Sequence, residues 1–409
     1  MTTDCGKLII MRLPLIVPLT LLAGALAWVA IAQDQPAAHT PPARCLPPAA
    51  WHALTTDKPA AVTAEALLRD MAKRQVVLLG EIHDSAEHHA WQLQTLAALH
   101  VLRPQMVIGF EAFPRRVQPV LDRWVAGELT QREFLQQVEW EKVWNFPPAL
   151  YLPLFEFARI NRIPMIALNV DRALTAAVSR QGWENTPDAV KEGVSRPARP
   201  PEAYEKILRE VYLAHVKDNA ARQSGQHDDA FRYFVESQTT WDRAMAEALA
   251  SRVKPGSGAP LLVGIMGSGH VRHGHGVAHQ LRDLGVKNVG LLLPVSGTDD
   301  CGEIRTGLAD AVFTVETARR EPAPPPRLGV QLGTAENAVL ITSVTAGSLA
   351  ERTGLKAGDR VISVGGTTVT SMSRVIAAIR EQPAGTWLPL QVKRGDEMLD
   401  LVVRFPPQP

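Results

Sequence analysis

Two histidines and two carboxylates stand where short apolar runs give way to glycine and polar residues. One run passes into Gly80-Glu81-Ile82-His83-Asp84, a second into Glu111 within GFEAF, and a third into Gly267-Ser268-Gly269-His270. Imidazole and carboxylate groups together can hold a divalent transition metal ion and leave positions open for water. Such an ion supplies hydroxide near neutral pH. Without metal, one carboxylate can act as general base beside a histidine. The structural alternative is that Glu81 and Glu111 cap neighbouring helices while the histidines hydrogen-bond within loops. The glycines allow tight turns and leave room for a ligand.

The elements that must position these groups are legible as continuous apolar runs at 75–79 (QVVLL), 106–110 (MVIGF), 164–168 (PMIAL), 261–265 (LLVGI) and 289–293 (VGLLL). Continuous rather than alternating hydrophobicity marks strands buried on both faces, as in an α/β fold whose parallel sheet is flanked by helices. Ligand sites in such sheets lie beyond the carboxyl ends of the strands. Glu81, His83, Glu111 and His270 are therefore expected to share one pocket. Residues 84–100 read as a helix opened by an Asp84/Glu87 capping box, with Trp91, Leu96 and Leu99 on one stripe. Residues 201–253 read as helical throughout, a small subdomain with Phe234, Gln238, Trp241 and Met245 on one face.

A chain of 409 residues suits two domains. A formal net charge of +1 supplies no broad positive field, which sets nucleic acid aside. Lys7 and Arg12 precede an apolar run, 13–32, ending in Ala30-Ile31-Ala32, the pattern of a cleaved secretory signal; an uncleaved membrane anchor is the alternative. The mature chain is expected in the periplasm or otherwise exported. Residues 33–50 form an Ala/Pro/Gln-rich arm, the first domain spans 51–318, and 319–327 (RREPAPPPR) is a proline-rich linker. Signal removal leaves Cys45 and Cys301, a pair that can form a disulfide in an oxidising compartment.

The order GEIHD, His88-His89, Gln92, GFEAF, Gln118, Leu121, Trp124, Trp140, Trp144, Tyr151, IPMIALN, Arg172, FRYFVESQTTWDRAMA and GSGH resembles the ChaN-like haem-binding uptake family, part of the wider erythromycin-esterase and Tiki-like superfamily. The resemblance spans about residues 76–315. It implies a parallel sheet with flanking helices, a helical subdomain and, in some members, haem held at a homodimer interface. Other members of the superfamily are esterases or metal-dependent peptidases that use residues matching Glu81, His83, Glu111 and His270. A haem site needs an axial ligand and apolar walls. Tyr151, following Trp140, Trp144 and Phe146, fits the family's pattern best among four tyrosines, with His83 and His270 as further candidates; a core tyrosine at a helix start is the alternative. His273, His275 and His279 read as solvated surface histidines.

Residues 328–405 change character to strand, strand, short helix, strand, helix, strand, strand, with turns at Gly333, Gly358, Gly365-Gly366 and Gly395-Asp396. The segment resembles a bacterial, circularly permuted PDZ domain through RLGVQL, AVLITSVTAGSLAERTGLKAGDRVISVGGTTV and the helix that follows. Such a domain takes a partner's carboxyl-terminal peptide as an added strand. Leu328, Gly329 and Val330 would form the carboxylate loop. Val375 and Ile376, flanked by Met372 and Ile379, would shape the side-chain pocket. Two readings follow: a haem carrier tied to iron uptake that docks by its PDZ domain, or a metal-dependent hydrolase with the same strand-end residues.

Overall fold

The computed structural model describes residues 45–218, 227–256, 258–296, 301–316, 326–335, 338–369 and 371–407. The expected signal, residues 33–44 of the arm and 319–325 of the linker lie outside the described residues. No helix among the described residues is long and apolar enough to cross a membrane. The chain divides into two compact units, Met1–Glu316 and Thr317–Pro409.

Eight strands build the first unit: β1 (Trp51–Ala53), β2 (Ala60–Val62), β3 (Val76–Glu81), β4 (Met106–Pro114), β5 (Met165–Asn169), β6 (Leu261–Gly267), β7 (Val289–Ser296) and β8 (Ala311–Val315). Its helices are α1 (Ala64–Met71), α2 (Ala86–Leu102), α3 (Gln118–Val125), α4 (Gln131–Gln137), α5 (Trp140–Val143), α6 (Pro148–Ile160), α7 (Arg172–Gln181), α8 (Glu202–Asp218), α9 (His227–Ala250) and α10 (Val277–Asp283). The sheet runs β2-β1-β8-β7-β3-β6-β4-β5. From β8 to β5 every pairing is parallel. The edge differs from the all-parallel expectation, because β1 pairs antiparallel with both β8 and β2. Those two edge strands are three residues long, too short to leave a period in the sequence.

From β3 the chain crosses to β4 and β5 on one side, returns as β6 between β3 and β4, then continues to β7 and β8 on the other side. That reversal opens a crevice at the carboxyl ends of the central strands. The alternation of β3 shows why its run is apolar throughout. Val77 and Leu79 pack with Trp91, Leu96 and Phe155 on one face, and Val76 and Leu78 pack with Met245, Leu249 and Leu281 on the other. Each such leucine, buried without residue, would cost about 2–5 kcal/mol if cut to alanine.

Two helical expectations need correction. The residue capping α2 is Ser85, whose hydroxyl accepts from His88 N at 3.3 Å, one position beyond Asp84. The helical stretch 201–253 contains α8 and α9, and it is not simply a subdomain beside the sheet: α9 packs against α7, α10 and β5. Its later residues Met245, Ala246 and Leu249 join the sheet core, while Phe231 and Val235 form a separate small core with Tyr204 and Leu208 of α8. Cys45 and Cys301 are joined by a disulfide that closes a loop across 256 positions.

The second unit contains β9 (Val330–Ala335), β10 (Ala338–Val344), α11 (Leu349–Thr353), β11 (Arg360–Val364), β12 (Thr367–Thr368), α12 (Met372–Arg380), β13 (Trp387–Arg394) and β14 (Glu397–Arg404). Its antiparallel sheet has the order β14-β13-β11-β10-β9, with β12 on β11. Val339, Ile341, Val361, Val392 and Val403 fill the core. Gly333 lies within β9, not at a turn. Among the described residues β9 is the last strand of the sheet and has one edge unpaired, and α12 packs beside it.

Candidate functional site

Parallel register places the four strand-end residues together. Glu81, the last residue of β3, sits opposite Gly267, the last of β6. Glu111 lies on neighbouring β4, and His270 closes the single helical turn that follows β6. Gly267 is the junction: its N–H donates to Glu111 Oε2 at 2.7 Å, and a Cβ there would lie 3.0 Å from His83 Cε1 and 3.2 Å from its Nε2.

One branch of the site is organised by Glu81, which is buried. Its Oε1 lies 2.7 Å from His83 Nδ1 and accepts from the Tyr151 hydroxyl at 2.9 Å; its Oε2 lies 2.9 Å from His89 Nδ1. Burial pushes this carboxyl up, but hydrogen bonds and charge from His83 and His89 outweigh it and hold the pKa at about 2. The same contact works on His83: burial pulls it down, and the Glu81 hydrogen bond with the Glu111 and Glu81 charges raises it above its usual value. The His83 side chain is 29% exposed, and it is walled by Trp144 and Phe146 with ring centroids 4.7 and 5.1 Å away. His89 stands behind it, its Nε2 3.1 Å from the His83 carbonyl.

The other branch is buried. His270 Nδ1 lies 2.6 Å from Asp242 Oδ1 and its Nε2 3.4 Å from Glu111 Oε1, while Asp242 Oδ2 accepts from the Tyr204 hydroxyl at 3.0 Å. Burial disfavours the His270 charge, yet Glu111 and Asp242 flank it and push its pKa up to about 10. Burial raises Asp242, against the pull of His270 and Tyr204. Asn169 steadies the frame by donating to the Glu111 carbonyl at 3.0 Å. Glu81 and Glu111 thus spend their carboxylates on partners within the pocket, in place of the helix-capping alternative.

Several expected roles shift. Tyr151 is 1% exposed, and its hydroxyl points at Glu81 rather than toward a surface ligand; burial first and the Glu81 charge next push its pKa up, away from the phenolate that binds iron. His270 is likewise held inside, between two carboxylates. Of the three haem-ligand candidates only His83 reaches the surface. Among the described residues no group of three or more His, Cys, Asp or Glu side chains is set to hold a metal ion, the quartet Glu81, His83, Glu111 and His270 included. His279 and His273 are tied to the backbone carbonyls of Arg199 and Gly307.

Asp242 and Tyr204 were not singled out by sequence. The available signal was Asp242 falling four positions after Gln238 on the face of α9 that carries Met245 into the core, a place where a lone carboxylate needs a partner. Other motif residues prove structural: Gln118 bridges Met165 O and Ala167 N along edge strand β5, and the Trp124 and Trp140 indoles donate to the carbonyls of Phe155 and Phe146.

In the second unit, Gly329 has φ +83°, and a Cβ there would collide with Ser348. The carbonyls of Leu328 and Gly329 accept from Ala350 and Thr345, both at 2.8 Å, which fixes the loop before β9. Leu328 and Val375 are core residues, 4% and 2% exposed, because both point into the small hydrophobic cluster. Ile376 and Met372, 40% and 37% exposed, are the α12 side chains left for a ligand.

A family model described as haem-binding uptake, Tiki superfamily, ChaN matches residues 67–281, and a PDZ domain model matches 326–404. Among solved structures, one of cofacial haem binding to ChaN of Campylobacter jejuni is 18% identical, covers 64% of this chain and 96% of its own, and has a TM-score of 0.49. The PDZ domain of HtrA3 bound to a phage-derived ligand is 20% identical over 19% of this chain and 82% of its own, with a TM-score of 0.18. The HtrA-type protease AlgW with a decapeptide is 16% identical over 21% of this chain and 30% of its own, with a TM-score of 0.20. No curated protein matches the chain.

Proposed function

The chain belongs to the haem-binding uptake, ChaN family of the Tiki superfamily and carries a C-terminal PDZ domain, and from that premise we propose that it is an exported haem carrier of iron uptake that engages its partner through a peptide carboxyl terminus. The observation that carries the haem reading is the setting of His83. Its Nδ1 is anchored on an ionised, buried carboxylate, its ring packs beside the touching pair Trp144 and Phe146, and its side chain meets solvent. A carboxylate behind an imidazole fixes the tautomer and strengthens the opposite nitrogen as a ligand. His83, through that nitrogen, is the residue that would hold a haem group by its iron. Glycine at 267 keeps the Cε1–Nε2 edge of the ring free of a Cβ.

Export is supported by the apolar leader at 13–32 and by the Cys45–Cys301 disulfide, which suits an oxidising compartment. Metal-free hydrolysis by the same residues has less support. His270 with a pKa of about 10 is already protonated at neutral pH, and Glu81 at about 2 is a weak base. On the second unit, unpaired edge β9 beside Met372 and Ile376 suits strand addition with an apolar terminal side chain. The test is an equilibrium haemin titration of the purified chain followed at the Soret band. Saturation near one equivalent supports the reading; a shift that never saturates overturns it.

A further inference from the structure

A second cleft, sharing no residue with the strand-end pocket, lies between segment 196–200 and helices α8 and α9, with a volume of about 680 Å³. Its floor is apolar: Trp183, Phe231 and Val235, each less than a tenth exposed. Arg196, Arg199, Arg209 and Arg232 line it against two carboxylates, Glu205 and Glu236. Glu236 is engaged by the backbone, accepting from Trp183 N at 2.7 Å. Four guanidinium groups thus converge on one cleft, two of them, Arg196 and Arg232, already paired with carboxylates.

The wall that carries Arg196 and Arg199 is fixed before any ligand arrives. Ala198 exchanges hydrogen bonds of 2.8 and 3.0 Å with the Gln280 side chain, His279 Nε2 donates to Arg199 O at 2.8 Å, and Ser195 N donates to Glu247 at 2.9 Å. Pro197 and Pro200 restrict the backbone further. Arg209 lies flat against the floor, its guanidinium carbon 4.0 Å from the Phe231 centroid. Arg196 and Arg232 meet Glu184 and Asp229 in exposed pairs, which solvent screens and a bound anion can replace. No described residue pairs with the Arg199 guanidinium.

We propose that this cleft binds an amphipathic anion, a molecule with a flat apolar body and one or two carboxylate or sulfonate groups. The body would lie over the apolar floor of Trp183, Phe231 and Val235. The anionic groups would take charge-assisted, bidentate hydrogen bonds from the arginines, a geometry lysine does not offer. An apolar floor with convergent polar groups around it is one form that a small-molecule site takes.

The test uses the full chain and anilinonaphthalene sulfonate as probe, with uncharged phenylnaphthylamine as its counterpart. The expected result is saturable binding of the sulfonate, weakened about tenfold or more in the Arg199→Gln/Arg209→Gln variant and weakened by added salt. Both arginines are exposed, so the variant should keep the wild-type melting temperature. Arg199→Lys in an otherwise wild-type chain should bind less tightly than arginine but better than Arg199→Gln. Equal affinity of variant and wild type for the sulfonate, or equally tight binding of the uncharged probe, would overturn the proposal.

Discussion

Tyr151 and His83 meet the same oxygen, Glu81 Oε1, at 2.9 and 2.7 Å, yet they serve opposite ends of the site. Tyr151 secures the carboxylate from inside the core, while His83 carries it to the surface. Removing the hydroxyl in Tyr151→Phe should cost about 1–3 kcal/mol in denaturant unfolding, the loss of one hydrogen bond to a charged group, and should leave haem stoichiometry intact. Haem loss with the fold preserved would instead restore Tyr151 as the ligand. The buried branch makes a prediction in pH. His270 is raised from its ordinary 6.5 to about 10, so the folded state holds its proton more tightly than the unfolded chain does. The stability it contributes is fully present below 6.5 and is lost as pH rises through about 10. Melting temperature should fall over that window, and His270→Gln should flatten the fall; a pH-independent wild-type melt would contradict it. The four strand-end residues were legible because strand ends and glycines are local features. Asp242, Tyr204 and the inward turn of Tyr151 were not, because each depends on which helix faces which strand.

At the scale of elements, the parallel strands were readable because burial on both faces leaves continuous apolar runs. Edge strands β1 and β2, three residues each, leave no such mark, and neither does the one-residue choice between Asp84 and Ser85 as the cap of α2. In α12 the apolar period was visible, but its phase against the core was not. Val375 turns inward and Ile376 outward although they are neighbours in sequence. The junction of β3 and β6 gives the sharpest elemental test. Gly267→Ala would place a methyl 3.0 Å from His83 Cε1. The strain of such crowding, about 1 kcal/mol or more, should appear as a roughly fivefold or greater loss of haem affinity. Unchanged affinity in a correctly folded Gly267→Ala chain would mean that the His83 edge is not the binding face.

At the scale of the whole molecule, the disulfide ties the start of the first unit to its end. Chain-entropy reasoning for a loop of this length gives stabilisation on the order of 5 kcal/mol, with measured values running lower. Calorimetry with and without reductant should show the transition of the first unit moving down while that of the second stays in place; a reductant-insensitive first transition would contradict that role for the pair. The two cysteines and the proline-rich stretch were readable from composition, whereas the fixed Arg196–Arg199 wall needed hydrogen bonds from a distant helix. The central claim, that His83 on its Glu81 anchor is where haem binds, is met most directly by paired haemin titrations of wild type and His83→Ala at the Soret band. The account predicts saturation near one equivalent for wild type and loss of that shift in a folded His83→Ala chain. Identical titration curves for the two would contradict it.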